Sequence, residues 1–191
     1  MTRRYGVSMN DEAAAAGVIR DLFDRAVSEG FRAEAVEGAS DAEIDAMAAE
    51  QGVGTVPVAL REVLRILGRN AGSVLPGTVF GVRGPDADDK QGALWGLEEA
   101  AEHAIRDPAG LLVISEAGGY SYVVIDGSDV GNPDPPLWEI TESGVVTRRR
   151  ESVTEWFGLL IDRVVQEKSR LAADRAKGRP DPEGEKNYRW D

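Results

Sequence analysis

The stretch GVGTVPVALREVLRILGRNAG, residues 52–72, contains the helix on which the fold prediction rests. Pro57 lies where a first-turn proline loses no hydrogen bond and presets φ, and Thr55 just before it is a candidate N-cap. The apolar residues that follow recur at helical spacing: Leu60, Val63, Leu64 and Leu67. The segment GRNAG then ends the helix, since its glycines and asparagine tolerate positive φ. We therefore predict a helix that begins near Pro57 and packs by one face against a core.

Helical patterns also lie on both sides of this stretch. The segment NDEAAAAGVIRDLFDRAVSEG has apolar residues at helical spacing and opens with acidic residues. In SDAEIDAMAAEQG, Ser40 and Glu43 have the spacing of a capping box, in which each side chain accepts a hydrogen bond from the other residue's backbone N–H. Ser152 and Glu155 repeat this spacing at the start of the last helix, SVTEWFGLLIDRVV. Each of these helices is expected to bury one apolar face.

Between the helices, short apolar segments rich in β-branched residues predict strands. They are TVFGV, GLLVISE, YSYVVIDG, PLWEIT and GVVTRR, and the glycines between them favour two hairpins. We interpret GPDADDKQG, residues 84–92, as a charged, turn-rich loop, and LEEAAEHAIRD, residues 97–107, as a short helix. Helices first, a meander next and a helix last predict an α+β fold, with a mostly antiparallel sheet covered by helices on one side.

The composition excludes several kinds of catalytic and metal site. The chain of 191 residues has no cysteine and one histidine, His103, so thiolate sites, disulfides and triads or metal sites built on several histidines are excluded. No glycine-rich phosphate-binding motif is present in a strand-to-helix context. We therefore expect no metal ion and no cofactor. Acidic residues are plentiful but no motif positions a pair, which leaves a carboxylate-dependent hydrolase open as an alternative.

The charge of the chain favours a basic protein as partner. The net charge is −12, which repels phosphate backbones and disfavours direct nucleic-acid binding. The same field would steer a basic protein toward the molecule. The first residues reach Asp11 and Glu12 before any apolar stretch long enough for a signal peptide, and no uncharged apolar run approaches the ~18 residues of a membrane span. We expect a cytoplasmic protein without membrane contact, monomeric or weakly homo-oligomeric.

Two tryptophans and a nearby acidic segment are the residues that we predict to bind a partner. Trp95 and Trp138 flank predicted turns, where each could pack at the edge of the core or lie half-exposed in a protein interface. The acidic loop beside them supplies three carboxylates. The partner-binding residues that we predict are Asp86, Asp88, Asp89, Trp95 and Trp138.

The order of these elements resembles the SUKH superfamily, which contains fungal cell-wall regulators of Smi/Knr type and many bacterial toxin-immunity proteins. The family's helix–Pro–helix element corresponds here to Glu43-Ile44, Gly52-Val53, Val56-Pro57, Leu60-Arg61, Val63-Leu64 and Asn70-Ala71-Gly72. Leu60 and Val63 stand where the family usually has aromatic residues. The segments LLVISEAGGYSYVVID and ESVTEWFGLLID resemble the family's central strand pair and closing helix. The resemblance covers residues from about 33 to about 165.

The resemblance implies a non-enzymatic α+β domain that binds proteins. In bacteria such proteins typically neutralise a cognate toxin, often a nuclease or deaminase, in the cytoplasm of the producing cell. A regulatory or scaffold protein of Smi/Knr type is the alternative function within the same family. We accordingly divide the chain into an N-terminal helical extension (1–32), a SUKH-like domain (33–166) and a frayed helix followed by a mobile C-terminal tail (167–191).

Overall fold

Five antiparallel strands form a meander sheet in which neighbours in sequence are neighbours in space. The computed structural model describes residues 9–190, so residues 1–8 and 191 of the two predicted terminal segments lie outside the described residues. Each strand coincides with a predicted one to within a few residues, and all four pairings are antiparallel. The strands are β1 (Val79–Phe80), β2 (Leu112–Glu116), β3 (Ser121–Ile125), β4 (Leu137–Thr141) and β5 (Val146–Arg150). The predicted α+β fold with an antiparallel meander is confirmed.

Helices cover both faces of this sheet. Residues 9–190 form α1 (Met9–Ser28), α2 (Asp41–Glu50), α3 (Val58–Leu67), α4 (Ala87–Glu99), α5 (Val153–Ala176) and α6 (Pro182–Glu185). As predicted, α1, α2, α3 and α5 share one core, and inward-facing strand residues such as Ile114 and Val123 belong to it. The structure adds α4 on the opposite face, where Ala93 and Leu97 pack with Val124 and Ile140 in a second, smaller core. The sheet is therefore a middle layer, with helices on two sides and not on the one side that the sequence predicted, because α4 also has an apolar face to bury.

The helix that the sequence places after Pro57 is present as α3. Pro57 is its N-cap residue, and no side chain caps the first turn, so Thr55 does not have the role that we expected. The predicted stripe is buried at Leu60, Val63, Leu64 and Leu67. Gly72, at the end of GRNAG, has φ 52° and lies so near the carbonyl oxygen of Ala35 that a Cβ would approach it to 2.3 Å. Glycine is required there for both reasons.

The predicted charged loop at residues 84–92 is wrong, because most of it is the first half of α4. Asp86 accepts hydrogen bonds from the backbone N–H groups of Asp88 and Asp89, at 2.8 and 3.1 Å. The carboxylate of Asp89 accepts in return from the backbone of Asp86 at 3.1 Å. These bonds are a capping box built from two aspartates, which starts a helix where acidic composition alone indicated a loop.

The helix predicted over residues 97–107 is also wrong beyond its first residues. The helix α4 ends at Glu99, and Ala100 is extended. The buried carboxylate of Asp126 accepts from the backbone N–H groups of Arg106 and Asp107, at 2.8 and 2.9 Å. These bonds hold the segment in a loop, because a side chain remote in sequence replaces the helical carbonyls as acceptor. His103 therefore lies in a loop and is exposed.

The C-terminal segment is packed, which corrects the prediction of a mobile tail. The helix α5 continues to Ala176, and beyond α6 the chain returns to pair Tyr188 with Phe31. Tyr188 is 4% exposed, and its hydroxyl donates to the carbonyl of Val164 at 2.9 Å. Burial raises the pKa of Tyr188 to about 12. Because Tyr188 joins the same core as α1, the described parts of both terminal segments, residues 9–32 and 167–190, belong to the packed fold.

Within residues 9–190, no helix combines the length and apolar character needed to cross a bilayer.

Candidate functional site

The structure brings four of the five predicted partner-binding residues onto one helix. Asp86 caps α4, Asp88 and Asp89 lie in its first turn, and Trp95 lies in its second half. Trp138 lies on β4, on the sheet face that α4 covers, and is partly buried against the smaller core.

The solvent-facing side of α4 forms a continuous surface, which we call the α4 outer face. Its members are all exposed, and each lies three or four residues from at least one other member: Asp88, Gln91, Trp95, Glu98 and Glu99. This spacing puts them on one side of the helix. The side chain of Trp95 is 61% exposed, which is unusual for the largest apolar side chain. The predicted partner-binding residues did not include Gln91, Glu98 and Glu99. The spacing of Asp86 and Asp89, which is that of a capping box, is the signal that predicts the helix carrying them.

The opposite side of α4 is held tightly against the sheet. Gly96 lies where a Cβ would approach the carbonyl oxygen of Thr141 to 2.5 Å, so glycine permits the close contact. Lys90 is buried, and its ammonium group donates to the carbonyls of Gln51 and Ala109, at 2.6 and 2.8 Å. Burial lowers the pKa of Lys90. These contacts fix the rotation of the helix about its axis and therefore the direction in which the α4 outer face points.

The carboxylates of the α4 outer face are uncompensated. Among the described residues, none of Asp88, Glu98 and Glu99 forms an ion pair. Asp89, just inside this face, has a raised pKa because of burial and of the nearby carboxylates of Asp86 and Glu116. A raised carboxyl pKa is the expected result of a local excess of negative charge combined with desolvation.

Trp138 differs from Trp95 in being engaged within the molecule. The guanidinium of Arg148 lies over its ring, 5.6 Å from the ring centre. Its indole N–H is buried and has no hydrogen-bond acceptor among residues 9–190. Most of its apolar surface is therefore already covered, which makes Trp95 the better anchor for a partner. Partner contact by either tryptophan stays a prediction.

On the other face of the sheet, the carboxylate of Glu139 is paired. Glu139 accepts from the guanidinium of Arg149 at 2.6 Å and from the hydroxyl of Ser121 at 2.7 Å. Burial raises the pKa of Glu139, but these two partners outweigh it and hold the pKa below its usual value. In residues 9–190 no group of three or more histidine or acidic side chains is arranged to hold a metal ion.

The SUKH resemblance rests on the sequence motifs quoted above, and the prediction of that family stands on them alone. The residues of the helix–Pro–helix element lie in α2, α3 and the turns next to them, and the two further segments lie in the β2–β3 pair and at the start of α5. Comparison of the chain with protein-family models, curated proteins and solved structures found no match.

Proposed function

We propose that this protein is a non-enzymatic binding protein, an immunity protein that neutralises a cognate toxin in the cytoplasm by docking the α4 outer face on a basic surface. The observation that carries the proposal is Trp95, 61% exposed on a helix whose outer carboxylates have no ion-pair partner among the described residues. The SUKH-like motifs of the sequence favour the same function.

An exposed tryptophan on a fixed helix suits the centre of a protein interface. Tryptophan is enriched among the few residues that supply most of the binding energy, because it buries a large area at little cost in side-chain entropy. The close packing of Gly96 and the hydrogen bonds of Lys90 hold its helix in place before binding. Binding of a partner therefore causes little further loss of conformational entropy at this surface.

The positions of Glu98 and Glu99 support a role in binding. Both lie in the last turn of α4, which contains no basic residue. Negative side chains are unfavourable there, because the helix dipole is negative at its C-terminal end. These carboxylates therefore do not stabilise the helix. Pairing with a cationic partner would give them a role in binding.

Charge would act mainly on the rate of association. A net charge of −12 steers a basic protein from a distance, and the uncompensated carboxylates of the α4 outer face direct it to this helix. Nucleases that attack nucleic acids need cationic surfaces for their substrate. An acidic helix that covers such a surface would exclude the substrate from it.

The proposal is tested by co-expressing the protein with the toxin-like product of the neighbouring gene. The wild-type protein is expected to restore growth and to form a complex in size-exclusion chromatography. Trp95→Ala is expected to weaken the complex about thirtyfold, the effect of removing a hot-spot residue worth about 2 kcal/mol. Glu98→Gln/Glu99→Gln is expected to lower the association rate and its dependence on salt.

Tyr120→Ala provides the matched control, since Tyr120 is an equally exposed aromatic residue, at 66%, in the β2–β3 turn. It is expected to leave both rescue and affinity unchanged. Failure of the wild-type protein to restore growth would contradict the immunity function. A complex that Trp95→Ala leaves intact would contradict the α4 outer face as the interface.

A further inference from the structure

A polar groove opens on the sheet face opposite α4, between α5 and strands β2 to β5. It encloses a cavity of about 200 Å³. Ser115, Ser121 and Glu139 line it on the sheet side, and Trp156 and Arg163 line it on α5. The α4 outer face and this groove are therefore separated by the whole thickness of the sheet.

Two β-bulges shape the groove. In the β4–β5 pairing, Leu137 is opposite Arg150 and Trp138 is opposite Arg148, which leaves Arg149 as an extra residue. A regular strand would send Arg149 and Arg150 to opposite faces, whereas with the bulge both line the groove. A second bulge, between Val113 and Ser115 on β2, leaves Ile114 as the extra residue, and Ser115 lines the groove. Bulges of this kind recur where a strand must re-aim side chains toward a site.

The arginines of the groove are only partly neutralised. Arg149 is paired with Glu139. Within residues 9–190, neither Arg150 nor Arg163 forms an ion pair, although acidic residues outnumber basic ones by 34 to 22 in the chain. The Nε–H of Arg150 is enclosed by protein atoms and has no acceptor within the described residues, while its Nη1 donates to the carbonyl of Arg149. An oxyanion in the groove would pair with the guanidinium groups that lack a carboxylate.

We propose that this groove binds a small oxyanion, a carboxylate or a phosphate group, between the guanidinium groups of Arg150 and Arg163. Arg150 lines the groove from β5 and Arg163 lines it from α5, so an anion there lies between cations of two elements. The hydroxyl of Ser115 supplies a further donor, and the apolar edge of Trp156 excludes water from one side. The site is independent of the α4 outer face, so it accommodates a ligand whether or not a partner is bound there.

The site is tested by NMR on the uniformly ¹⁵N-labelled full chain, titrated with inorganic phosphate and separately with succinate. Sodium chloride at matched ionic strength is the reference. Saturable shifts are expected for the amides of Ser115 and Ser121 and for the Nε–H of Arg150. Saturation by phosphate alone, by succinate alone or by both supports the site and identifies which group it prefers.

Two variants and one control make the test specific. Arg150→Gln and Arg163→Gln are each expected to lower the affinity for the anion that gives saturable shifts by at least tenfold. Arg163 is exposed on α5, so its variant keeps the fold even where Arg150→Gln disturbs the strand. Arg148→Gln, which removes a cation on the opposite face of the sheet, is expected to leave the affinity unchanged. The proposal is overturned by shifts no larger than those with chloride, or by equal weakening in Arg148→Gln and Arg163→Gln.

Discussion

The helices α2 and α4 begin with the same capping box but lie in opposite electrostatic surroundings. At α2, hydrogen bonds from Arg69 and from Ser40 lower the pKa of Glu43 to about 2. At α4, burial and the neighbouring carboxylates raise the pKa of Asp89. The backbone hydrogen bonds of the two boxes are alike, so the local motif cannot account for the difference. The surroundings that the fold supplies decide whether an acidic cap is compensated.

The same contrast extends over the two surfaces to which these helices belong. The α2–α3 face consists of acidic residues of α2 with arginines of α3. Asp41 is paired with Arg61 and Arg65, and Asp45 with Arg61, at 2.5 to 3.0 Å. The acidic residues of the α4 outer face have no such partners among the described residues. Charged residues therefore pair with one another within the fold on the α2–α3 face. On the α4 outer face, in our proposal, they bind a partner.

The largest effect is expected where an acidic residue of the compensated surface is buried. Glu62 on α3 is 7% exposed and accepts from Arg20 at 2.8 Å and from Arg65 at 3.1 Å. Arg20→Met/Arg65→Met leaves this carboxylate without a cation and is expected to lower the free energy of unfolding by about 2 kcal/mol. Urea denaturation followed by circular dichroism measures the change.

Adding Glu62→Met to that double variant is expected to recover most of the loss, because an apolar cluster then replaces the buried charge. A loss below about 0.5 kcal/mol in the double variant would show that Glu62 does not depend on its two arginines.

A smaller effect is expected from removing the caps of the two helices. Ser40→Ala and Asp86→Ala should each lower the free energy of unfolding by about 1 kcal/mol, since each exposes backbone N–H groups that lose their acceptor. Asp86→Ser keeps an acceptor at the cap and is the matched control. It should retain stability and also lower the pKa of Asp89, because one neighbouring charge is removed. Equal stability of Asp86→Ala and wild type would contradict the capping role.

A still smaller effect on stability is expected from neutralising the α4 outer face. Glu98→Gln/Glu99→Gln should leave the free energy of unfolding unchanged or raise it by up to about 0.5 kcal/mol, since these charges oppose the helix dipole. Thermal and urea denaturation measure it. A clear destabilisation would mean that these carboxylates support the fold, which would remove the contrast between the two surfaces.

The smallest effect concerns protonation. The carboxyl groups of the two capping boxes should change the stability with pH in opposite directions. Glu43 has a folded pKa of about 2, below its ordinary 4.5, so its stabilising contribution is present above pH 4.5 and is lost as the pH falls toward 2. Asp89 has a raised pKa, so its contribution is present below its ordinary value of 3.8 and is lost as the pH rises through the raised value. Carboxyl titration by NMR measures both midpoints. If both pKa values were shifted from their ordinary values in the same direction, the contrast between the two capping boxes would be refuted.

The sequence predicted the elements whose signals are local. The capping spacing of Ser40 and Glu43 and the apolar stripe after Pro57 each lie within a few residues, and both appear in the structure as predicted. The acidic segment at residues 84–92 was wrongly predicted to be a loop, because aspartate favours both turns and helix N-termini. Composition favoured the loop, and the spacing of Asp86 and Asp89 favoured the helix.

The candidate site was predicted only in part, for the same reason. Trp95 and the three aspartates were identified from composition, but Glu98 and Glu99 join them only once α4 is known to be a helix. Arg149 was predicted only as the last residue of the strand GVVTRR. The bulge at Arg149 depends on the register between β4 and β5, which no local sequence pattern predicts.

The sequence by itself determined the order of the five strands and of α1, α2, α3 and α5, the apolar faces of those helices and the excess of negative charge. Only the tertiary structure decided which of those charges are compensated, on which side of the sheet α4 lies, and that Tyr188 anchors the C-terminal segment against Phe31. The physical reason is sequence separation. Helix caps and periodicity act over three or four residues, whereas Glu62 and Arg20 are 42 positions apart and meet only because folding brings α1 and α3 together.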